Sequence, residues 1–449
     1  MARRAMCSLM ACLAGLGGVG LAGADEVLSC SGLGPVWSGH TVGMSLLTCG
    51  RRQYAAFYDG ERRLTVAARD LAPEGDWQRV VLPSRLGWDS HNYVTMAMDD
   101  DGFLHVSGNM HASPLVYFRM SRPGDLSSLE RVAAMTGELE SRVTYPIFFR
   151  GVGGEFIFTY RDGASGNGSQ IYNLYDTATR TWRRLLDRPL TDGGGAMNAY
   201  LVGPQAGPDG WYHLCWVWRD TPSCDTNHDL SYARSRDLRH WETADGRPLE
   251  LPLSIRTPGL VVDPSPVKGG LINMGICMGF DQERRVVITY HRYDADGHSQ
   301  IYNARLEQGR WSIRQTSDWT WRWDFTGGGS IPCEARAWPL RWQDGRLTQR
   351  FAGRGVAGVW LLDPETLRAV CVLPAQPDPT PAEVRRVRGS FPGLRLMTAG
   401  DAGRPDEPGV RYLMRWEALP ANRDRPRPEP WPEPAELQVY KLRVSPAKP

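Results

Sequence analysis

Net charge is almost absent from this chain: 52 Lys and Arg face 50 Asp and Glu, leaving +2 over 449 residues. No basic stripe or acidic tail breaks that balance, which argues against a nucleic-acid partner, since a phosphate backbone is held by clustered cations. Sustained helical periodicity is missing outside the N-terminal leader, which excludes a helical bundle. Apolar runs fit to span a membrane are missing too, because the one candidate, Ala5 to Leu21, is short and glycine-rich. No CxxC pair occurs, and Cys215, Cys224 and His228 have only loose ligand spacing, so a zinc centre is the weaker reading. No two carboxylates stand apart as an isolated pair, the arrangement normal in a glycoside hydrolase.

What is present points to sugars. Tryptophan numbers 17, glycine 49 and proline 33, and rich Trp and Tyr at neutral charge suit stacking and hydrogen bonding to a glycan. Arg3 and Arg4, the apolar stretch and Ala22-Gly23-Ala24 before Asp25 read as a cleavable export signal over 1–24. The mature protein, 25–449, is then periplasmic or secreted, with no membrane association after cleavage. It keeps Cys30, Cys49, Cys215, Cys224, Cys277, Cys333 and Cys371, with Cys30–Cys49 and Cys215–Cys224 as local disulfide candidates.

A turn, an apolar aromatic strand, a loop and a Tyr-containing strand ending near Trp recur along the chain. QIYNLYD from Gln170 and QIYNARL from Gln300 are close to literal repeats. A period of about fifty residues fits a blade of four antiparallel strands. The expected fold is all-β, a single seven-bladed β-propeller. Ser235 to Trp241 resembles a degenerate Asp-box without its glycine, and the proline-rich stretch from Pro420 to Pro434 precedes a last strand that closes the ring against the first blade.

The stretch GWDSHNYVTMAMDDDGFLHVSGNMHASPL, from Gly87 to Leu115, is the richest in chemistry. Val94 to Met98 reads as a strand, Asp99 to Gly102 as a turn and Phe103 to Ser107 as the returning strand. A hairpin brings its open ends together, so His91 and His111 should share one rim, escorted by Asn92 and Asn109. His105, mid-strand, reads as structural. Tyr145 opens a later strand and Arg161 closes its partner, on the same edge. His, His, Tyr and Arg suit β-elimination at a uronic acid. The C5 proton becomes removable once a guanidinium neutralises the carboxylate, and histidine or tyrosine can move the protons.

The segments WSGHTVG, YDGERRLTVAARDL, GWDSHNYVTMAMDDDG, SGNMHASPLVYFR, TYP, YRDGASGNG, WVWRDTP and NHDLSYARS resemble the BNR-repeat propeller family that contains ulvan lyases. The resemblance runs from about Val36 to Ser330 and is nearest to the branch acting on L-rhamnose linked α-1,4 to D-glucuronate. It implies a seven-bladed propeller whose two histidines, tyrosine and arginine map onto His91, His111, Tyr145 and Arg161. His91 and Tyr145 would serve as acid and base, Arg161 would neutralise the carboxylate and His111 would bind or orient it. Asn92, Asn109 and Trp88 would bind substrate. Some members of the branch are hydrolases with a catalytic histidine on the opposite face, in a WSGH-like segment that matches His40. A third reading is a non-catalytic carbohydrate-binding propeller using Trp88 and Trp218 as platforms. The expected partner is an acidic polysaccharide and the expected state a monomer. No cofactor is required for the chemistry, structural calcium or zinc is compatible with the family, and the identity of any metal stays unknown.

Overall fold

The computed structural model describes residues 23–374 and 377–445, so the expected export signal lies outside the described residues except for its last two positions. The fold is all-β. Among the described residues the strands form seven sheets, whose inner strands begin at Ser45, Val94, Val143, Asn198, Cys277, Ala335 and Arg395. Each sheet is built around antiparallel neighbours in chain order, the arrangement that alternating apolar strands and short turns favour. The spacing stretches between the fourth and fifth sheets, where Trp241–Glu242, Pro248–Leu249 and Val261–Asp263 add to the edge of the fourth.

The chain's first strand, Glu26–Val36, pairs with its last, Ala435–Arg443, from Glu26 opposite Arg443 to Val36 opposite Ala435. The seventh sheet is therefore made from both ends of the described chain, with Glu26–Val36 as its outer strand and Ala435–Arg443 held between it and Val410–Ala418. Apolar residues of successive sheets pack on one another: Leu46 and Phe57 share a cluster with Met96 and Val106 of the next sheet and with Met414 and Val439 of the last.

The expected hairpin forms, with Val94–Met98 paired to Leu104–Gly108 and Val94 opposite Gly108. Asp99 makes its turn by accepting from the backbone of Asp101 and Phe103. The Asp-box turn forms as well: Ser235 Oγ accepts from Leu238 N at 2.8 Å, Asp237 accepts from the backbones of Arg239 and His240, and Trp241 is buried. Leu238 takes a left-handed φ of 63° there, a conformation that glycine would adopt at less cost.

Two cysteine expectations are corrected. Cys30, Cys49, Cys215 and Cys224 carry free thiols. Cys215 is buried mid-strand among Tyr232 and Met278, while Cys224 lies in a separate cluster with Ile272 and Trp323. Cys30 sits opposite Tyr440 in the last sheet, whereas Cys49 belongs to the first. His228 offers no nitrogen for a zinc site with them, because Asp229 and Asp220 hold its Nδ1 and Nε2 at 2.8 and 2.9 Å.

Strand order decides which loops share a face. In a four-stranded antiparallel unit, the connection entering the first strand and the one between the second and third strands emerge on the same side. His40 and His91 lie in entering connections, His111 and Asp424 follow second strands, Tyr145 and Tyr200 stand near the start of first strands, and Arg161 and Arg219 near the end of second strands. All of them therefore lie towards one face. His40 was expected on the opposite one, and the topology corrects that.

Candidate active site

Asp89 organises the rim. Its Oδ1 lies 2.7 Å from Nδ1 of His91 and its Oδ2 2.5 Å from Nδ1 of His111, so a single carboxylate grips both imidazoles. The rings stand with centroids 4.5 Å apart. A carboxylate is acceptor-only, so each histidine presents Nδ1–H to Asp89 and has Nε2 as its other ring nitrogen. The backbone N–H of His91 also donates to Asp89 Oδ1, at 2.9 Å.

His111 is placed by a short strand, His111–Ser113, that joins the inner edge of the third sheet and sets His111 opposite Thr144. Tyr145 is the next residue, at a bulge between Thr144 and Ile147. Its φ of 57° is left-handed, a strained state for tyrosine, all the more so before Pro146. The bulge turns the ring to within 5.9 Å of His91 and 6.3 Å of His111 between centroids.

These three residues line one cavity of about 310 Å³, together with Tyr200, Arg219, Ser330 and others. Arg219 donates to the carbonyls of Thr221 and Pro222 through Nε and Nη2, which leaves Nη1 for a ligand. Arg161 is placed differently. It is only 2% exposed and all three of its guanidinium nitrogens lack an acceptor among the described residues. Its Cζ lies 5.0 Å from the ring centre of Tyr145 and 5.6 Å from that of Tyr200. Gly168 makes room for it, since a Cβ there would come 3.0 Å from Arg161 Cδ. Arg161 thus backs the tyrosines and does not line the cavity as the rim position implied, because Tyr200 of the next sheet lies over it and Gly168 of the neighbouring strand closes against its stem.

Electrostatics separate the groups. Burial disfavours charge on His91, but Asp424 and Asp89 outweigh it and push its pKa up to about 9. Burial is likewise outweighed at Asp89 by the two histidines, and at Asp424 by His91 and Ser90, so both carboxyls are held well below their usual range. Tyr145 moves up from its ordinary value, driven by burial and by Tyr200 and opposed by Arg161 and Arg219. At neutral pH the cavity therefore presents a cationic His91, a protonated Tyr145 hydroxyl and a guanidinium. Asp89, His91 and His111 could also present ligand atoms to a divalent ion, all within 4.8 Å of one another, although Asp89 already bridges the two Nδ1 atoms.

Other expected residues lie apart. Asn109 donates to Ser84 Oγ at 2.8 Å and to the Arg85 carbonyl at 3.0 Å, which ties the hairpin to the first sheet. Asn92 has a buried Oδ1 without a partner among the described residues and uses its carbonyl to accept from Tyr58. Trp88 is ringed by Trp37, His40, Trp431 and Arg62, with ring centroids or Cζ 5.2–5.5 Å away. Trp218 is fully buried, so it offers no platform. His40 is 2% exposed, accepts at Nδ1 from Trp37 Nε1 at 2.8 Å, and is pulled down to about 4 by burial against the opposing pull of Asp89 and Asp424.

Sequence reasoning passed over Asp89, Tyr200, Arg219 and Asp424. Tyr200 and Arg219 repeat, one sheet on, the pattern of Tyr145 and Arg161: Arg161 stands opposite Thr144, and Arg219 opposite Asn198. The internal repeat held that signal. Asp89, two residues before His91, was legible only as part of the GWDSH segment.

An all-β, propeller-like protein with a carboxylate–dihistidine–tyrosine site on one face is thus defined. The chain belongs to the BNR repeat-containing family, whose model matches residues 52–319. It is 26% identical over 217 residues to a short-isoform ulvan lyase of Alteromonas sp. (strain LOR), a stretch covering 44% of this chain and 41% of that one. A long-isoform ulvan lyase of Glaciecola sp. (strain KUL10) is 30% identical over 84 residues, 19% of this chain and 8% of that protein. The matched stretches therefore span less than half of these relatives. Among solved structures, polysaccharide lyase Uly1 superposes with a TM-score of 0.59 at 13% identity, covering 94% of this chain and all of that one. A PL25 ulvan lyase bound to -[GlcA(1-4)Rha3S]- gives 0.56 at 13% identity, covering 92% and 95%. At such identities the likeness is one of fold.

Proposed function

We propose that this chain is a secreted or periplasmic polysaccharide lyase, a monomer whose residues 25–449 form one seven-bladed propeller. It would cleave by β-elimination beside a glucuronate that carries rhamnose on its non-reducing side. The observation that carries the reading is Asp89 gripping the Nδ1 atoms of both His91 and His111 beside Tyr145 in one cavity. The match to ulvan lyases and the cavity's size support it. A space of about 310 Å³ is at the small end of ligand sites, suited to one or two sugar units.

In this reading the uronate carboxylate lies against the His91 imidazolium and Nη1 of Arg219, which makes the C5 proton acidic. His111, with Nδ1–H given to Asp89, takes that proton at Nε2 in its neutral form. The C5–H electrons form the C4–C5 double bond, the C4–O4 bond breaks, and the Tyr145 hydroxyl protonates O4 as rhamnose leaves. Arg161, behind the ring, stabilises the tyrosinate that results. His91 moves here from proton transfer to charge neutralisation because its two carboxylates keep it protonated. Digestion of gum arabic and of ulvan, followed by mass spectrometry and ultraviolet absorbance, is the test. An unsaturated uronate is expected, and release of rhamnose with no unsaturated product would remove the mechanism.

A further inference from the structure

We propose that Asp424, from the loop between the second and third strands of the seventh sheet, is a positioning residue that fixes the His91 ring over the cavity. This rests on the lyase reading for its catalytic meaning, but not for its geometry.

Asp424 ties together segments remote in the chain. Its Oδ1 accepts from Ser90 N at 3.0 Å, Ser90 Oγ at 2.7 Å and Ser330 Oγ at 3.1 Å, while Oδ2 accepts from Ser330 N at 3.0 Å. The same Oδ2 lies 3.3 Å from His91 Nδ1. The loop entering the second sheet, the loop entering the sixth and the seventh sheet's own loop thus meet on one carboxylate. Arg423 and Asp424 are consecutive left-handed residues, with φ of 50° and 59°. Two non-glycine residues in that region are strained, and such strain persists only where surrounding contacts determine it. Arg423 supplies part of that hold by donating to the Thr326 carbonyl at 3.2 Å.

The consequence falls on His91. Asp89 alone would let the ring turn about a single hydrogen-bonding partner that it shares with His111. A second carboxylate beside Nδ1 restricts the ring and directs Nε2 to the cavity. The groups facing His91 are Asp89 from its own loop, Asp424 from the seventh sheet, His111 from the short strand, and Tyr145 from the third sheet with Arg161 behind it. Of these, Asp424 and Asp89 both raise the pKa of His91.

The test is the imidazole titration of His91 in the intact protein, followed by NMR of ring-labelled histidine and assigned with His91→Gln. Asp424→Asn should lower the midpoint by about one unit or more, the usual effect of losing an opposite charge at this range. Asp424→Glu should recover most of it. Arg423→Ala, which loosens the same loop without touching His91, should leave the midpoint in place. An unchanged midpoint in Asp424→Asn, or an equal fall in Arg423→Ala, overturns the proposal. Because the titration needs no substrate, a shifted midpoint with no unsaturated product from any variant would retire the lyase reading and leave the positioning role standing.

Discussion

His105 and His91 belong to one hairpin unit, each beside an aspartate, and they come out as opposites. His105 lies mid-strand with no exposure. Its Nε2 faces Asp99 at 3.2 Å and its Nδ1 meets the Tyr117 hydroxyl at 2.7 Å, so both ring nitrogens are satisfied inside the protein. Burial keeps its pKa lowered despite Asp99. His91 stands in the loop before the strand, its side chain 24% exposed, with two carboxylates converging on one nitrogen. Its pKa goes up to about 9. A histidine–aspartate pair is thus structural or reactive according to how many ring nitrogens the fold satisfies and whether the ring meets solvent.

The largest effect expected is at the carboxylate that makes the difference. Asp89→Asn removes the charge that orients two imidazoles, and turnover should fall on the order of 10³-fold or more with the fold intact by circular dichroism. Retention of more than a tenth of activity would dissolve the contrast with Asp99. Next comes Arg219→Ala, which takes a cation from the cavity and should cost about 10²-fold. Arg219→Lys should recover only part, since a point charge does not replace the guanidinium fork.

The pH dependence follows from the same contrast. His91 has a folded pKa raised above its ordinary value, so its ion pairs stabilise the protein fully below that ordinary value and fade as pH rises through about 9. Activity that needs the imidazolium should hold across the neutral range and fall along an alkaline limb near pH 9. Activity that instead rises with pH through about 9 would show that His91 acts in its neutral form.

The hairpin around Val94 to Ser107 was legible because period-2 patterning and a DDDG turn are local signals, and His91 and His111 followed from its closure. A last strand after the prolines was readable from its patterning, but its partner was not: it pairs with Glu26–Val36 within the seventh sheet and not with the first blade. Asp424 was not readable. It lies 334 residues from Ser90, in a proline-rich stretch whose composition says only that it is extended. The burial of Arg161 escaped for another reason: strand periodicity gives a side chain's face but not the depth at which the next sheet covers it. The disulfide expectation failed because proximity in sequence says little about Cβ direction when two cysteines belong to different packed clusters.

Asp99 offers the complementary test on stability. Asp99→Ala leaves the buried Nε2 of His105 without its partner and takes the side-chain acceptor from two backbone N–H donors of the turn. The loss should be about 1–3 kcal/mol for the unsatisfied group, seen as a lower midpoint in denaturant, with kcat changed less than tenfold. A large fall in kcat at unchanged stability would mean that the hairpin turn, distant from the rim, couples to the site.

The smallest effect on turnover is expected at His40. It shares the face of His91 and feels both Asp89 and Asp424, yet burial holds it neutral, its Nδ1 is taken by Trp37 and its Nε2 is enclosed away from solvent. A general acid or base must reach the proton that it moves, and a ring 2% exposed behind Trp37 and Trp88 reaches none. His40→Ala should therefore change kcat by less than about tenfold while lowering the thermal midpoint, because the cavity it leaves falls within a packed aromatic cluster. His91→Ala, measured beside it, should lower kcat by about 10²-fold or more while costing less stability. Were His40→Ala to abolish activity and His91→Ala to spare it, the chemistry would belong to the buried histidine, and the solvent exposure that separates His91 from His40 and His105 would not be what makes a histidine reactive in this fold.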